Sequence, residues 1–339
     1  MDTAAAIRTV RGALRRYGFD EGSTLELVKY RENYVFRLTE PMGASFAVRL
    51  HRAGYHNDAE IRTELAYLRA LGERGLSVPE LVPTVNGELV CLVDTEVGET
   101  FYLDVQKWLE ASQPLGDVAE AIDGTCTLEP EAFRRLGVLV AELHHHTSSI
   151  GRTPGFERRA WDAEGLAGDT PLWGDPLAVA ELSHGQAVLL AGAMTKLRGD
   201  LETLGTAADR YGVIHADLTL ENVLVQDGRL IAIDFDDFGE GWHLFDLVTV
   251  LFFFVPHPRY EDYRRALVEG YRSARQVTDS FFEAWDAMLL ARGTTYLGWA
   301  ADRRGDETAE FIVEQVVPVV LGLAARYAPM AASPAPTTP

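Results

Sequence analysis

Five short β-like runs, all ending by Trp108, mark the first third of this 339-residue chain, and mostly helical pattern, with apolar residues at every third and fourth position, fills the rest, the two parts joining near Lys107. Before that point, β-like runs at 25–30, 34–39 and 46–50 are separated by Arg31, Glu32 and Asn33 and by the turn residues Pro41 and Gly43, which predicts an antiparallel meander. A helix capped by Asp58, with Ile61, Leu65 and Leu68 on one stripe, follows and ends near Gly75 and Pro79. Strands at 88–94 and 101–108 complete a small sheet carrying one helix. Beyond it come helical patterns at 131–146, 185–204, 258–275, 279–301 and 307–327, and an amphipathic helix over 1–17 opens the chain. The expected fold is therefore α+β in two lobes: a small antiparallel β-sheet lobe over 1–107 and a larger, mainly helical lobe over 108–328. The proline-rich end, 329–339, reads as a flexible tail, and 148–176, rich in Gly, Pro and Trp, as a long ordered loop.

Charge narrows the partners. Lys and Arg number 31 against 51 Asp and Glu, a net charge of −20, and no segment is basic enough to hold a phosphate backbone against that field. Nucleic acid is excluded as a partner; cationic small molecules, or anions presented with a divalent metal, suit the surface. The two cysteines, Cys91 and Cys126, are too few for a disulfide framework and predict a reducing, cytoplasmic location. The start of the chain lacks the apolar stretch of a signal peptide, its interleaved arginines leaving a transit peptide as the alternative. The apolar run 247–255 is far below the roughly 20 residues a bilayer needs, so no membrane partner is expected. Oligomeric state is not legible.

The chemistry is concentrated between His215 and Asp246. Eight carboxylates (Asp217, Glu221, Asp227, Asp234, Asp236, Asp237, Glu240 and Asp246) share that segment with a single arginine, Arg229. Such crowding raises carboxylate pKa values unless a cation neutralises it, and a divalent metal is the natural remedy. Residues 222–234 read as a hairpin turning at Asp227 and Gly228; a three-residue loop through Arg229 would set Asn222 directly opposite Asp234, Cβ atoms roughly 5 Å apart. One amide and one carboxylate match Mg2+, which completes its shell with water and phosphates, so a nucleotide is expected. Asp217, on an irregular segment after the short strand 212–214, is suited to accept a proton from a substrate hydroxyl or to orient it. His144, His145 and His146 point about 100° apart on a helix and cannot share one ion.

His215, Asp217 and Asn222 spell H-x-D-x-x-x-x-N, with Ile233-Asp234 and Asp246-Leu247 following. The phrase resembles the catalytic and metal loops of the protein-kinase-like superfamily, and most closely its aminoglycoside phosphotransferase and choline kinase branch. That resemblance, which extends over most of the chain, implies a two-lobed, ATP- and Mg2+-dependent kinase of hydroxyl groups. It implies Asp217 as the catalytic aspartate, Asn222 and Asp234 as metal ligands, and His215 and Asp246 as structural support. Arg49 on the third strand, its partner glutamate on the next helix, Asn33 on a nucleotide-covering hairpin, and Lys107 and Leu109 at the lobe junction would serve the nucleotide. At 100° per residue Glu64 lies nearer the Ile61 stripe than Glu60, which favours Glu64 as that partner.

Two departures stand out. Arg49 occupies the position resembling the family's phosphate-binding lysine, and the covering segment 29–34 has no glycine. A solvent-facing Arg49, alternating with Phe46, Val48 and Leu50, stays an alternative. Asp236, Asp237 and Glu240 read either as contacts for a cationic acceptor or as a solvated face. The acceptor is expected to be a small alcohol, amine-containing as in an aminoglycoside, a choline-like amine or a hydroxy amino acid, since Asp234-Phe235-Asp236 lacks the D-F-G glycine and no A-P-E follows. A bacterial protein Ser/Thr kinase of the same branch and a nucleotide-binding regulator without turnover are the other readings.

Overall fold

The computed structural model describes residues 2–30 and 33–329; Arg31 and Glu32 of the expected phosphate-covering segment and residues 330–339 of the expected tail lie outside the described residues. In chain order the elements are α1 (Thr3–Ala13), β1 (Thr24–Tyr30), β2 (Tyr34–Thr39), β3 (Ser45–Leu50), α2 (Asp58–Glu73), β4 (Val90–Asp94), β5 (Thr100–Lys107), β6 (Gln113–Pro114), α3 (Val118–Ile122) and α4 (Pro130–Ile150). There follow β7 (Ala160–Trp161), α5 (Ala163–Ala167), α6 (His184–Leu204), β8 (Tyr211–Ile214), β9 (Val223–Gln226), β10 (Arg229–Ala232), β11 (Gly239–Trp242), α7 (His243–Leu251), α8 (Tyr260–Ala274), α9 (Trp285–Ala301), α10 (Glu307–Phe311) and α11 (Val317–Tyr327).

Two compact units, each discontinuous in sequence, divide these elements. The first runs to Leu115 and includes Ile150–Arg158 and Asn222–Asp236; the second comprises Gly116–Ser149, Arg159–Glu221 and the chain from Asp237 onward. In the first, the antiparallel sheet has the order β1-β2-β3-β5-β4, and its core joins Phe36, Leu38, Val48, Leu50, Leu103 and Val105 to Ala6 and Val10 of α1. The helix α2 begins with a capping box in which Asn57 and Glu60 exchange side-chain and backbone hydrogen bonds. The cap is thus Asn57, one residue earlier than the Asp58 expected. Ile61, Leu65, Leu68 and Leu71 are buried at the spacing that predicted the helix.

The hairpin β9–β10 pairs Gln226 with Arg229 and Val223 with Ala232. Its loop is therefore two residues, not three. Asp227 and Gly228 both have positive φ, 48° and 75°, as a type I′ turn demands, and that turn matches the strand twist where a longer loop would not. Asn222 consequently faces Ile233, whose N–H donates to the Asn222 carbonyl at 2.9 Å, and Asp234 lies one residue beyond.

In the second unit a three-stranded sheet of order β7-β11-β8 leads directly into the loop at His215. The stretch expected to be a loop over 148–176 contains the end of α4, β7 and α5. The pattern expected as one helix over 279–301 starts as a 3-10 turn before α9. Among the described residues one helical run, Glu307–Tyr327 (21 residues, mean hydropathy 1.6), is long and apolar enough to cross a membrane. In this fold its Val316, Val320, Leu323 and Ala324 are buried, and α11 packs on α9 and α6. Glu314 and Pro318 interrupt its apolar letters, which is why the sequence points to 247–255 instead.

Candidate active site

Strand register builds the charged centre of the first unit. Arg49 on β3 lies directly opposite Asp104 on β5, so two side chains of opposite charge emerge on one face of the sheet. The α2 helix covers that face and brings Glu64 down onto the pair. The Arg49 guanidinium donates from Nη2 to Glu64 Oε1 at 2.7 Å and from Nε to Asp104 Oδ2 at 3.0 Å. All three are buried, which removes the solvent-facing alternative for Arg49 and makes Glu64 its partner on the helix, while Glu60 stays in the cap. Burial alone would raise the pKa of Glu64 and of Asp104 and lower that of Arg49. The opposite charges outweigh it: both carboxyls are held below their ordinary values and Arg49 above its own. His51 adds a 2.6 Å contact from Nε2 to Asp104 Oδ2.

Asp236 corrects the acidic-face reading. It is buried, with His51 Nδ1 3.9 Å and His56 Nε2 3.8 Å from its Oδ1, and its carbonyl contacts His56 Nε2 at 2.8 Å and also accepts from Arg158. In the second unit Asp237 Oδ1 accepts from Trp173 Nε1 at 3.1 Å, and Glu240, half-buried, sits in β11 opposite Val213. Asn33 is buried and its Oδ1 accepts from the Arg52 N–H at 3.1 Å. Lys107 is exposed and paired with Glu80 at 2.7 Å; Leu109 is half-buried. Asn222 is buried at the open end of the β9–β10 hairpin, and Asp234, beyond β10, is exposed with φ 62°.

The loop at His215 is held from both sides by buried charge. Asp246, one turn into α7, accepts the N–H of His215 at 3.0 Å on Oδ2 and that of Ala216 at 2.8 Å on Oδ1. The same Oδ2 lies 3.0 Å from His144 Nε2, and His144 Nδ1 meets the Tyr271 hydroxyl at 3.0 Å. The Asp246 carboxylate can only accept, so His144 donates to it through Nε2, while burial pushes the His144 pKa below its ordinary value. Burial would raise the Asp246 carboxyl; the hydrogen bonds from His144 and the loop hold it lowered. His144 thus belongs to the scaffold, and among the described residues no three His, Cys, Asp or Glu side chains gather as a metal site. Ala216 adopts φ 67°, a left-handed conformation that favours glycine, and this turn presents the half-buried Asp217 carboxylate.

Sequence reading missed two residues here. Asp104 sits in the buried middle of strand β5, and Arg292 in the middle of α9, whose residues are nearly all buried. A charged letter flanked by apolar ones, well inside an element, was the available signal. Arg292, fully buried, donates from Nη2 to Asp217 Oδ1, also from Nη2 to the Tyr296 hydroxyl at 2.6 Å, and from Nη1 to the Ala216 carbonyl at 3.2 Å.

Comparison with known proteins agrees with the motif. A model described as the phosphotransferase enzyme family matches residues 25–288, well over half of the chain. The amicoumacin kinase of Bacillus subtilis (strain 168) is 27% identical over 241 residues, covering 71% of this chain and 66% of that protein, so the chain spans just under two thirds of that relative. A solved microcompartment-associated aminopropanol kinase superposes with a TM-score of 0.82 at 29% identity, covering 95% of this chain and 97% of that one. A solved amicoumacin kinase in complex with AMP-PNP and Ca2+ matches with a TM-score of 0.74 at 20% identity, over 95% and 94% of the two chains, a likeness of fold alone. An H-x-D-x-x-x-x-N loop braced by Asp246, on an α+β fold matched over this span, makes the chain a member of the phosphotransferase enzyme family.

Proposed function

We propose that this enzyme transfers the γ-phosphate of ATP, with Mg2+, to the hydroxyl of a small amine-bearing alcohol. The observation that carries the reading is the Asp217 carboxylate, displayed on a loop whose N–H groups end on buried Asp246 and whose carbonyl and carboxylate end on buried Arg292. A carboxylate fixed in this way orients an acceptor hydroxyl and takes its proton as the oxygen attacks phosphorus. The kinase relatives named for aminopropanol and amicoumacin support a small-molecule acceptor.

Asn222 and Asp234 offer an amide oxygen and a carboxylate, hard donors too few for a closed cage and suited to Mg2+ that completes its shell on phosphates. When bound, the ion would neutralise charge on the transferring phosphoryl group. Arg49, held by Glu64 and Asp104, keeps its positive charge at any physiological pH, and in this reading it contributes that charge toward the nucleotide. The acidic segment supports a cationic acceptor less than its letters suggest, because Asp236 is buried among histidines. Cys91 and Cys126 are both free thiols, in keeping with a reducing compartment.

The test is ADP release with MgATP across a panel of 1-amino-2-propanol, other amino alcohols, choline, hydroxy amino acids and aminoglycosides. Transfer to one class, lost in Asp217→Asn with nucleotide binding retained, is the expected result. Transfer to serine or threonine of a protein and to no small alcohol would overturn the acceptor class. Undiminished transfer by Asp217→Asn would overturn the role of Asp217.

A further inference from the structure

The structure assigns Arg292 of α9 as the residue that positions Asp217, a role that rests on the reading of Asp217 given above. Burying a guanidinium is costly before any compensation, so a fully buried arginine in a helix whose residues are nearly all buried needs an explanation. An apolar side chain would pack there at less cost. What the guanidinium provides is geometry: its planar head reaches the carbonyl of Ala216 and the carboxylate of Asp217, two consecutive residues of the loop. Bridging a backbone oxygen and the next side chain fixes the carboxylate relative to its own main chain.

The strained turn at Ala216 makes this possible. With φ 67° there, the N–H groups of His215 and Ala216 point to the Asp246 carboxylate, while the Ala216 carbonyl points to Arg292. The loop's donors end on a buried anion and its acceptors on a buried cation. Neither side alone holds the turn.

Arg292 is itself fixed by rings. Its guanidinium carbon lies 4.1 Å from the ring centre of Tyr296, 4.8 Å from Trp173 and 5.7 Å from Phe245. The Tyr296 hydroxyl, one helical turn along, accepts from the same Nη2 that serves Asp217. Trp173 sits in place because Gly298 has no side chain: a Cβ there would lie 2.2 Å from the Gly174 carbonyl. Burial would lower the pKa of Arg292, and Tyr296 and Asp217 more than restore it, so the cation persists. The rings that could hold a cationic acceptor beside Asp217 are thereby occupied by the protein's own cation.

The experiment compares Arg292→Met, Arg292→Lys, Arg292→Ala and Tyr296→Phe with the parent and with Asp217→Asn, using MgATP and the panel acceptor of highest turnover. Readouts are kcat, KM for ATP, MgADP binding and thermal unfolding. A displaced carboxylate predicts a loss of kcat on the order of 100-fold in Arg292→Met, with KM for ATP within about 3-fold. Arg292→Lys falls between, since one ammonium pairs with Asp217 without bridging to Ala216, and Tyr296→Phe loses a few-fold. Methylguanidinium added to Arg292→Ala partly restores kcat, a readout that a purely structural role would not move. Parental kcat in Arg292→Met beside an inactive Asp217→Asn overturns the inference and leaves the reading of Asp217 intact; an active Asp217→Asn overturns that reading instead. Loss of kcat that tracks loss of folded protein or of MgADP binding, without rescue, also overturns the inference. Should Arg292→Met or Arg292→Ala fail to fold, Arg292→Lys and Tyr296→Phe decide it by the same split.

Discussion

Arg49 and Arg292 are both buried guanidiniums, embedded in opposite ways. Arg49 faces two carboxylates, Glu64 and Asp104, with His51 against the latter. Arg292 meets one carboxylate, one carbonyl and one phenol inside a wall of three aromatic rings. Anionic excess recovers the desolvation of Arg49, and ring quadrupoles with a single counter-ion recover that of Arg292. A site with two counter-ions keeps its cation when one partner is lost. A site with one has made that partner, Asp217, part of its own stability. The first arrangement suits a charge that must stay put under varying ligand charge, and the second suits the fixing of one carboxylate.

The strongest attempt to break this contrast is Asp217→Asn, for which we expect kcat to fall by about 1,000-fold with MgADP binding nearly unchanged, read by single-turnover transfer and calorimetry. Arg49→Met comes next. It leaves Glu64 and Asp104 buried without their counter-ion and should cost about 3–5 kcal/mol in urea unfolding. Asp104→Asn sharpens the two-partner argument: Arg49 keeps Glu64, and the loss should stay at about 1.5–3 kcal/mol, with the folded state retained.

The support behind the loop adds a pH dependence. Burial holds His144, and His243 whose ring centre lies 4.5 Å from its own, below the ordinary histidine value. Unfolding then takes up protons as the pH falls below that value, so this part of the stability is complete above about pH 6.5 and declines as pH falls toward the folded-state values. Urea midpoints at pH 8 and pH 5.5 should differ in that direction, and His144→Gln should flatten the difference. The smallest effect concerns the turn: Ala216→Gly removes left-handed strain but gives up a buried methyl, for a net gain of about 0.5 kcal/mol in thermal unfolding.

Much of this was legible in the letters. The clustering of β-like runs before Lys107 announced a β-rich part followed by a helical one, and the 100° rule selected Glu64 over Glu60 because helix geometry alone decides which face carries a residue. His215, Asp217, Asn222 and Asp234 were named as candidates from the spacing of the motif and the strand end that follows it. The hairpin register was missed by one residue, because two-residue and three-residue loops both fit Asp227-Gly228-Arg229 and backbone twist chooses between them. The exposure of Asp236 was misjudged for a different reason: which residues pack around a carboxylate, here His51 and His56, far from it in sequence, is decided by the fold.

Local chemistry and periodicity, which act over a few residues, were enough for the sequence to specify the strands of the first sheet, the long helices and the family motif at His215. Tertiary structure alone decided which distant charges share a low-dielectric interior: Asp104 across the sheet from Arg49, Asp246 behind the loop, Arg292 in front of it. The cost of burying a charge depends on everything packed around it, and that sum exists only once the chain has folded.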